Sequence, residues 1–503
     1  MALASENVIH LKGGKLIGDT AAGDIAKTFE AFHQSNNPAN LAVHFHGGLV
    51  PKKDGLETAE HLKPIFEQAG AFPVFFVWES GAIETVCNNL GDIAQEPFFQ
   101  QIVKRIAQFA AKQLGSLAGP VMRGEVPDES KVTEEQINSQ FDAWFDAGSS
   151  ELLPLDSLAI GNAVDEDENV IALRIEDKVR RDHELHDELN KIIDVATPAD
   201  QVVTRGGRVA NVQASQRTLM TPETIEQLVE TDRVGRRSVL TAVKLTTQIA
   251  AIVYRVVKRH INHRDHGVFV TIVEEVLRQL YVESIGKTFL WDLLKKDTLD
   301  AFGDDANLYG GTAFLSHLAE QLRQGRPVPR ITLTGHSTGA VYICHFLEKA
   351  DVMLPSEVKF DVVFLAPAVN VKTFDHTLTT VGHRIANFRM FTMSDEREIA
   401  DPLHTKVRLI YPRSILYFVS GLLEDEPDEP LVGMHRFFQG DSAFEGVPDV
   451  ARVAGWFNQH PGRAVWSVAD QGPGQQSLAT THVDFDNEAN TMASLQHLLQ
   501  HGF

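Results

Sequence analysis

"RITLTGHSTGAVYICHF", Arg330 to Phe346, joins a β-rich run, the pentapeptide Gly-His-Ser-Thr-Gly and an apolar run suited to a helix. Strand, tight turn and helix in that order predict that Ser337 sits on a sharp bend in a strained backbone conformation. Neighbouring backbone then crowds the positions two before and two after it, so Gly335 and Gly339 carry no side chain for a steric reason. Such a turn also puts Ser337 at the start of the following helix. There the Thr338 amide and the helix dipole stabilise a developing oxyanion. The plainer reading of the same residues is a structural turn with an exposed serine.

Working outward, "NLAVHFHG" (40–47), "FPVFFVWE" (72–79), "FDVVFLAP" (360–367), "NFRMFTMS" (387–394) and "AVWSVAD" (464–470) are short Val/Ile/Phe-rich runs like the one before Ser337. Unbroken apolar runs of this length mark strands buried on both faces, as in a parallel sheet. Helical patterns separate most of them, "TAEHLKPIFEQAG" after the first and "TGAVYICHFLEKA" after Ser337 among them. Alternation of this kind predicts a doubly wound α/β sheet. "VIHLKGGKLIG" near the start adds an edge hairpin. The strands fall in 1–80 and 326–503. Residues 81–325 read as a mostly helical insertion, through "EPFFQQIVKRIAQFAAKQL", "TEEQINSQFDAWFDA" and "VFVTIVEEVLRQLYVESIGKTFLWDLLKKDTLDAF". Within it "VDEDENV" and "TRGGRVANVQASQRT" are polar and turn-prone, and are expected to form surface loops or disordered stretches.

The chain has 503 residues, 43% of them hydrophobic, enough for a full core. Lys plus Arg number 46 against 68 Asp plus Glu, a formal charge of −22, which disfavours nucleic acid and anionic membranes as partners. Two cysteines, Cys87 and Cys344, make a disulfide framework improbable and point to a reducing, cytoplasmic compartment. "MALASENVIHLKGGKLIG" lacks the basic start and apolar stretch of a signal peptide and reads as unprocessed. Neither 240–257, interrupted by Lys244 and Arg255, nor the short 414–423 run suits a membrane span.

Through Gly335-His336-Ser337-Thr338-Gly339 the sequence resembles the α/β-hydrolase superfamily, in particular its lipases and esterases. The resemblance implies an α/β-hydrolase-like fold, a mainly parallel doubly wound sheet with the helical insertion as a cap. It also implies two further features. The first is an oxyanion loop after an earlier strand, and "AVHFHGGLV" resembles the His-Gly-Gly loop of the family. Gly47, Gly48 and Leu49 are the candidates there, the amide of Gly48 or Leu49 acting together with that of Thr338. The second is the chain order serine, acid, histidine. Asp395, with Glu396 as its rival, follows the strand "NFRMFTM". The competing reading of Asp395 is a helix N-cap. His482 lies between the last strand and the last helix, where the family carries its base; His404, His435 and His460 compete. The implied activity is a serine hydrolase acting on a small-molecule or lipid ester through a Ser337–His482–Asp395 triad, a thioester or amide being the lesser variants. No cofactor and no metal is implied.

Two other readings use the same residues. His44 and His46 form a His-x-His pair at a strand end, the spacing a metal-dependent hydrolase uses, although no Asp-His follows. Alternatively the hydrolase core is a non-catalytic scaffold, with the insertion as the surface for a protein partner. His263-Arg264-Asp265 matches the first triplet of a kinase catalytic loop. It lacks the Asp-Phe-Gly and glycine-rich loop that kinases require, so "HINHRDHGVF" reads as a polar helix junction.

Overall fold

The computed structural model describes residues 5–18, 20–35, 40–48, 51–80, 83–117, 168–182, 219–221, 239–440 and 443–503. "TEEQINSQFDAWFDA", "TRGGRVANVQASQRT" and Leu49 lie outside them. The described residues fall into two compact units. One comprises 1–83, 288–401 and 414–503, the other 84–287 and 402–413. The helices Leu293–Asp300 and Gly310–Arg323, which the sequence reading grouped with the insertion, belong to the first unit because they pack on the helix that follows Ser337.

The first unit is an α/β structure built on an eight-stranded, mostly parallel sheet. Its strands are β1 (Val8–Lys12), β2 (Lys15–Leu16), β3 (Asn40–Phe45), β4 (Phe72–Trp78), β5 (Arg330–His336), β6 (Phe360–Leu365), β7 (Ile385–Met393) and β8 (Ala464–Ser467). They lie side by side in the order β2-β1-β4-β3-β5-β6-β7-β8. Only β2 runs antiparallel, against β1, and the turn between them uses Gly13 and Gly14 at φ +55° and +70°. Two consecutive positive φ values make the tight turn whose twist suits a hairpin, which is why "KGGK" predicts this edge.

Alternate strand residues serve opposite faces. Phe75 and Val77, Val363 and Leu365, and Phe391 and Met393 point to one side. They meet Ala59, Leu62 and Phe66 of helix Lys52–Gln68 and Met492, Leu495 and Leu498 of helix Ala489–His501. Those helical residues recur every three or four positions, one apolar stripe per helix. On the other face Phe45 stacks on Tyr342, ring centroids 4.6 Å apart, and Phe76 and Phe346 meet Phe314.

Helix Gly339–Met353 approaches the sheet so closely that a Cβ at Gly339 would lie 2.2 Å from the Phe45 carbonyl oxygen. A Cβ at Gly335 would lie 2.7 Å from the Gly339 carbonyl group. Both clashes are with backbone, which cannot yield. Gly339→Ala is therefore expected to destabilise the protein by about 3 kcal/mol or more, measurable as a lowered midpoint in urea.

The second unit is helical where it is described. The longest of its described helices, Val239–Ile261, packs against Pro97–Leu117, Glu168–Arg181 and Val268–Leu280. The last three residues of "VDEDENV" open the second of these, so that stretch is helical from Glu168 onward. "HINHRDHGVF" is indeed the junction of two helices. His263 and Gly267 turn it at φ +54° and +92°, and the Asp265 carboxylate accepts the Gly267 amide at 3.0 Å.

Below the junction Arg259 donates to Glu274 at 2.8 Å and to Glu275 at 3.1 Å, Arg255 reaches Glu275 at 2.6 Å, and Tyr411 donates to Glu274 at 2.7 Å. Burial alone would raise the Glu274 carboxyl. The adjoining His266 and Arg259, with hydrogen bonds from His266 and Tyr411, outweigh it and hold the group at about 2. A depressed folded-state value stabilises the fold above the ordinary carboxylate range, and the contribution is lost as pH falls toward 2. Arg259→Met leaves two buried carboxylates short of their cation. It is expected to cost about 3–5 kcal/mol at pH 7, with part of the loss recovered near pH 4 in chemical denaturation.

Among the described residues no helix is long and apolar enough to cross a membrane.

Candidate active site

Strands β3 and β5 are neighbours in register, Phe45 opposite Gly335. From β3 the chain crosses to β4 on one side, and from β5 to β6 on the other. Their carboxyl ends therefore flank the point where the winding of the sheet reverses, the place where open α/β sheets leave a crevice for ligands. His46-Gly47-Gly48 leaves β3 there and Ser337 leaves β5 there.

Ser337 has φ +53°, a left-handed conformation that side chains with a Cβ adopt only under constraint. Three backbone hydrogen bonds supply the constraint. The Ser337 amide donates to the Leu365 carbonyl at 2.8 Å, and the Ser337 carbonyl accepts from Ala368 at 3.0 Å and Ala340 at 3.2 Å. The bend is thus locked to the end of β6, and Ser337 is 8% exposed rather than displayed on an open turn. Thr338 caps the next helix, and among the described residues its N–H, at the positive end of that helix, has no backbone acceptor.

Gly47 lies against Ser337, since a Cβ on it would be 3.4 Å from the Ser337 Cβ and 3.2 Å from His336 Nδ1. The Gly48 amide, one of the two expected oxyanion donors from this loop, donates to Thr338 Oγ1 at 3.3 Å. A Cβ at Gly48 would lie 2.6 Å from that oxygen and 2.7 Å from Leu294, so glycine lets the loop approach the turn without moving those side chains. The structure therefore brings Gly335, Ser337, Thr338, Gly339, Gly47 and Gly48 together.

His482 opens the short 3₁₀ turn His482–Asp486 between the last strands and the final helix. Its ring centroid is 5.2 Å from that of His336, and its carbonyl oxygen accepts His336 Nε2–H at 3.1 Å. Burial, with His336 adding to it, pushes the His482 imidazole well below its usual range, so it is neutral, as a proton acceptor must be. His482 Nδ1 is buried and has no hydrogen-bond partner among the described residues.

Asp395 does not meet His482. It stands in the first turn of helix Asp395–Ala400, where its Oδ1 accepts the Tyr417 hydroxyl at 2.7 Å. The carboxylate that touches residue 482 is Asp401, whose Oδ2 accepts the His482 amide at 2.9 Å. Burial raises Asp401 to about 6, Asp484 pushing the same way and the His482 amide opposing. The sequence reading passed over Asp401. Its local signal was Asp401-Pro402, since a residue before proline is biased out of the helix and so turns its side chain off the helix end. Among the described residues no hydrogen bond joins Glu396 to His482. Among the competing histidines, His435 stacks on Trp466 at 4.3 Å, His404 Nδ1 accepts the Lys406 amide at 3.1 Å, and the His460 carbonyl accepts the Arg463 amide at 2.8 Å.

His46 is committed to other bonds through both ring nitrogens, and His44 through Nδ1 only, its buried Nε2 having no partner among the described residues. His46 accepts the Trp78 amide on Nε2 at 3.1 Å, which fixes the proton on Nδ1, and that N–H donates to the Gly47 carbonyl at 2.6 Å. It also stacks on Trp78, and burial first of all lowers it to about 4. His44 Nδ1 meets Thr334 Oγ1 at 2.8 Å between the rings of Phe66 and Phe75. With both nitrogens engaged His46 offers no lone pair to a metal. Among the described residues no group of three or more His, Cys, Asp or Glu side chains could hold one. No family model, no curated protein and no solved structure matches the chain.

Proposed function

We propose that the protein is a serine hydrolase of α/β-hydrolase type that cleaves esters through an acyl-enzyme on Ser337. The observation that carries the proposal is the left-handed Ser337 at the switch point of the sheet, next to a helix-start amide that no backbone carbonyl accepts among the described residues, and tied through His336 to the His482 segment. The strand order and the antiparallel strand at one edge support the same reading.

In this mechanism Ser337 Oγ attacks the acyl carbon while its proton passes to the neutral His482 imidazole. The Thr338 amide meets the developing oxyanion, and Gly47 keeps the space beside Ser337 clear of side chains. The imidazolium returns the proton to the departing alcohol. Water then repeats the sequence to release the acid and restore Ser337. Asp401, which already holds the backbone of residue 482, is assigned to accept the imidazole Nδ1–H and steady the imidazolium, in place of Asp395. A fluorophosphonate probe, which phosphonylates activated serines, tests the proposal: peptide mapping is expected to find the label on Ser337. A protein that stays unlabelled and turns over no p-nitrophenyl ester would overturn it.

A further inference from the structure

The residue before the serine makes contacts that a spacer would not. His336 is 7% exposed, and because a carbonyl can only accept, its Nε2 carries the proton shared with the His482 carbonyl at 3.1 Å. Its Nδ1 faces Asp486 Oδ2 at 3.5 Å. Both partners belong to the 3₁₀ turn His482–Asp486, one at each end. One side chain, rooted at the last position of β5 and adjacent to Ser337, therefore spans the whole turn that bears the candidate base.

A second set of contacts, one from outside the turn and one within it, holds its shape. Asp401 takes the His482 amide, and Asp484 accepts the Thr481 amide at 2.9 Å. These fix the local shape of the turn without reference to Ser337. His336 relates the turn to the nucleophile, through its hydrogen bond to the backbone carbonyl of residue 482 as well as the ring contact at 5.2 Å.

We propose that His336 is a positioning residue that sets the distance between His482 and Ser337 by clamping the His482–Asp486 turn to the end of β5. The inference rests on the serine-hydrolase reading and adds to it which group aligns the base. It requires a donor at the place of Nε2, not an imidazole. Glutamine carries its amide nitrogen at that place, whereas leucine has the bulk and no donor.

The test compares wild type, His336→Gln, His336→Leu and His482→Ala in p-nitrophenyl ester kinetics, fluorophosphonate labelling rate and amide hydrogen exchange over 481–487. Loss of the clamp is expected to lower kcat by about 10–100-fold in His336→Leu with KM little changed, because misplacement of a reacting group by about 1 Å costs that much. Exchange in the turn should quicken in the same variant. His336→Gln should restore most of both. Unchanged kcat and exchange in His336→Leu would overturn the proposal. So would a His336→Gln variant as inactive as His482→Ala, since the imidazole itself would then be taking part in the chemistry. A wild-type protein that neither labels nor turns over ester is a different result, which removes the reaction and with it the role assigned to His336.

Discussion

Ser337→Ala is expected to abolish fluorophosphonate labelling and to lower kcat/KM for p-nitrophenyl esters by about 10⁴-fold or more, with the fold intact. The magnitude follows from removing the atom that forms the covalent intermediate, after which only binding and the oxyanion donor remain to assist attack by water. The fold should tolerate the change, because the bend is held by backbone bonds to Leu365, Ala340 and Ala368 that alanine preserves. Relief of little or no strain is expected, since alanine has the same Cβ in the same left-handed conformation. Equal labelling of the two proteins would remove Ser337 from the chemistry. A large fall in melting temperature would instead assign the serine a structural role.

The second large effect separates two carboxylates. Asp401→Asn is expected to lower kcat by about 10²–10⁴-fold, the range seen when a triad acid loses its charge, whereas Asp395→Asn should leave activity near wild type. In wild type the activity should fall on the acid side around pH 6, where Asp401 takes up a proton, and Asp401→Asn should flatten that limb. Stability should move the other way. A carboxyl raised from its usual value to about 6 favours the protonated folded state, so its contribution is full at low pH and is lost as pH rises through 4 to 6. Asparagine keeps the acceptor for the His482 amide and cannot ionise. Allowing for screening of a partly exposed group, the variant should be more stable at pH 7.5 by about 1–2 kcal/mol in urea titration. A gain in stability paired with a loss of rate is what a functional carboxylate in an unfavourable setting produces. An Asp401→Asn variant of full activity beside an inactive Asp395→Asn would return the role to Asp395.

Much of this site could be read before any coordinates. The largely apolar runs marked β3 to β8 within two or three residues at most ends, because burial on both faces leaves few polar positions to confuse the period. Gly335 and Gly339 announced the bend by their spacing about Ser337, although the backbone that crowds Gly339 is Phe45 of the distant strand β3. The paired glycines of "KGGK" announced the hairpin as well. His482 stood out by its place between strand and helix.

The candidate acid was the least legible part. Asp395, Glu398 and Asp401 are spaced three apart along one short helix and its end, so by periodicity they are equivalent. Their partners separate them. Asp395 goes to Tyr417, 22 residues away, Glu398 is buried against the Ser414 hydroxyl, 16 away, and Asp401 reaches His482, 81 away. Likewise nothing beside His336 in the chain foretells Asp486 as its neighbour. Strand runs and glycine turns are written locally because they depend on backbone sterics and on the period of apolar residues. Which carboxylate reaches residue 482 depends on how β7, β8 and the final helix pack together. Contacts between distant segments, each chosen by burial and hydrogen-bond satisfaction, leave no periodic trace in the chain to read.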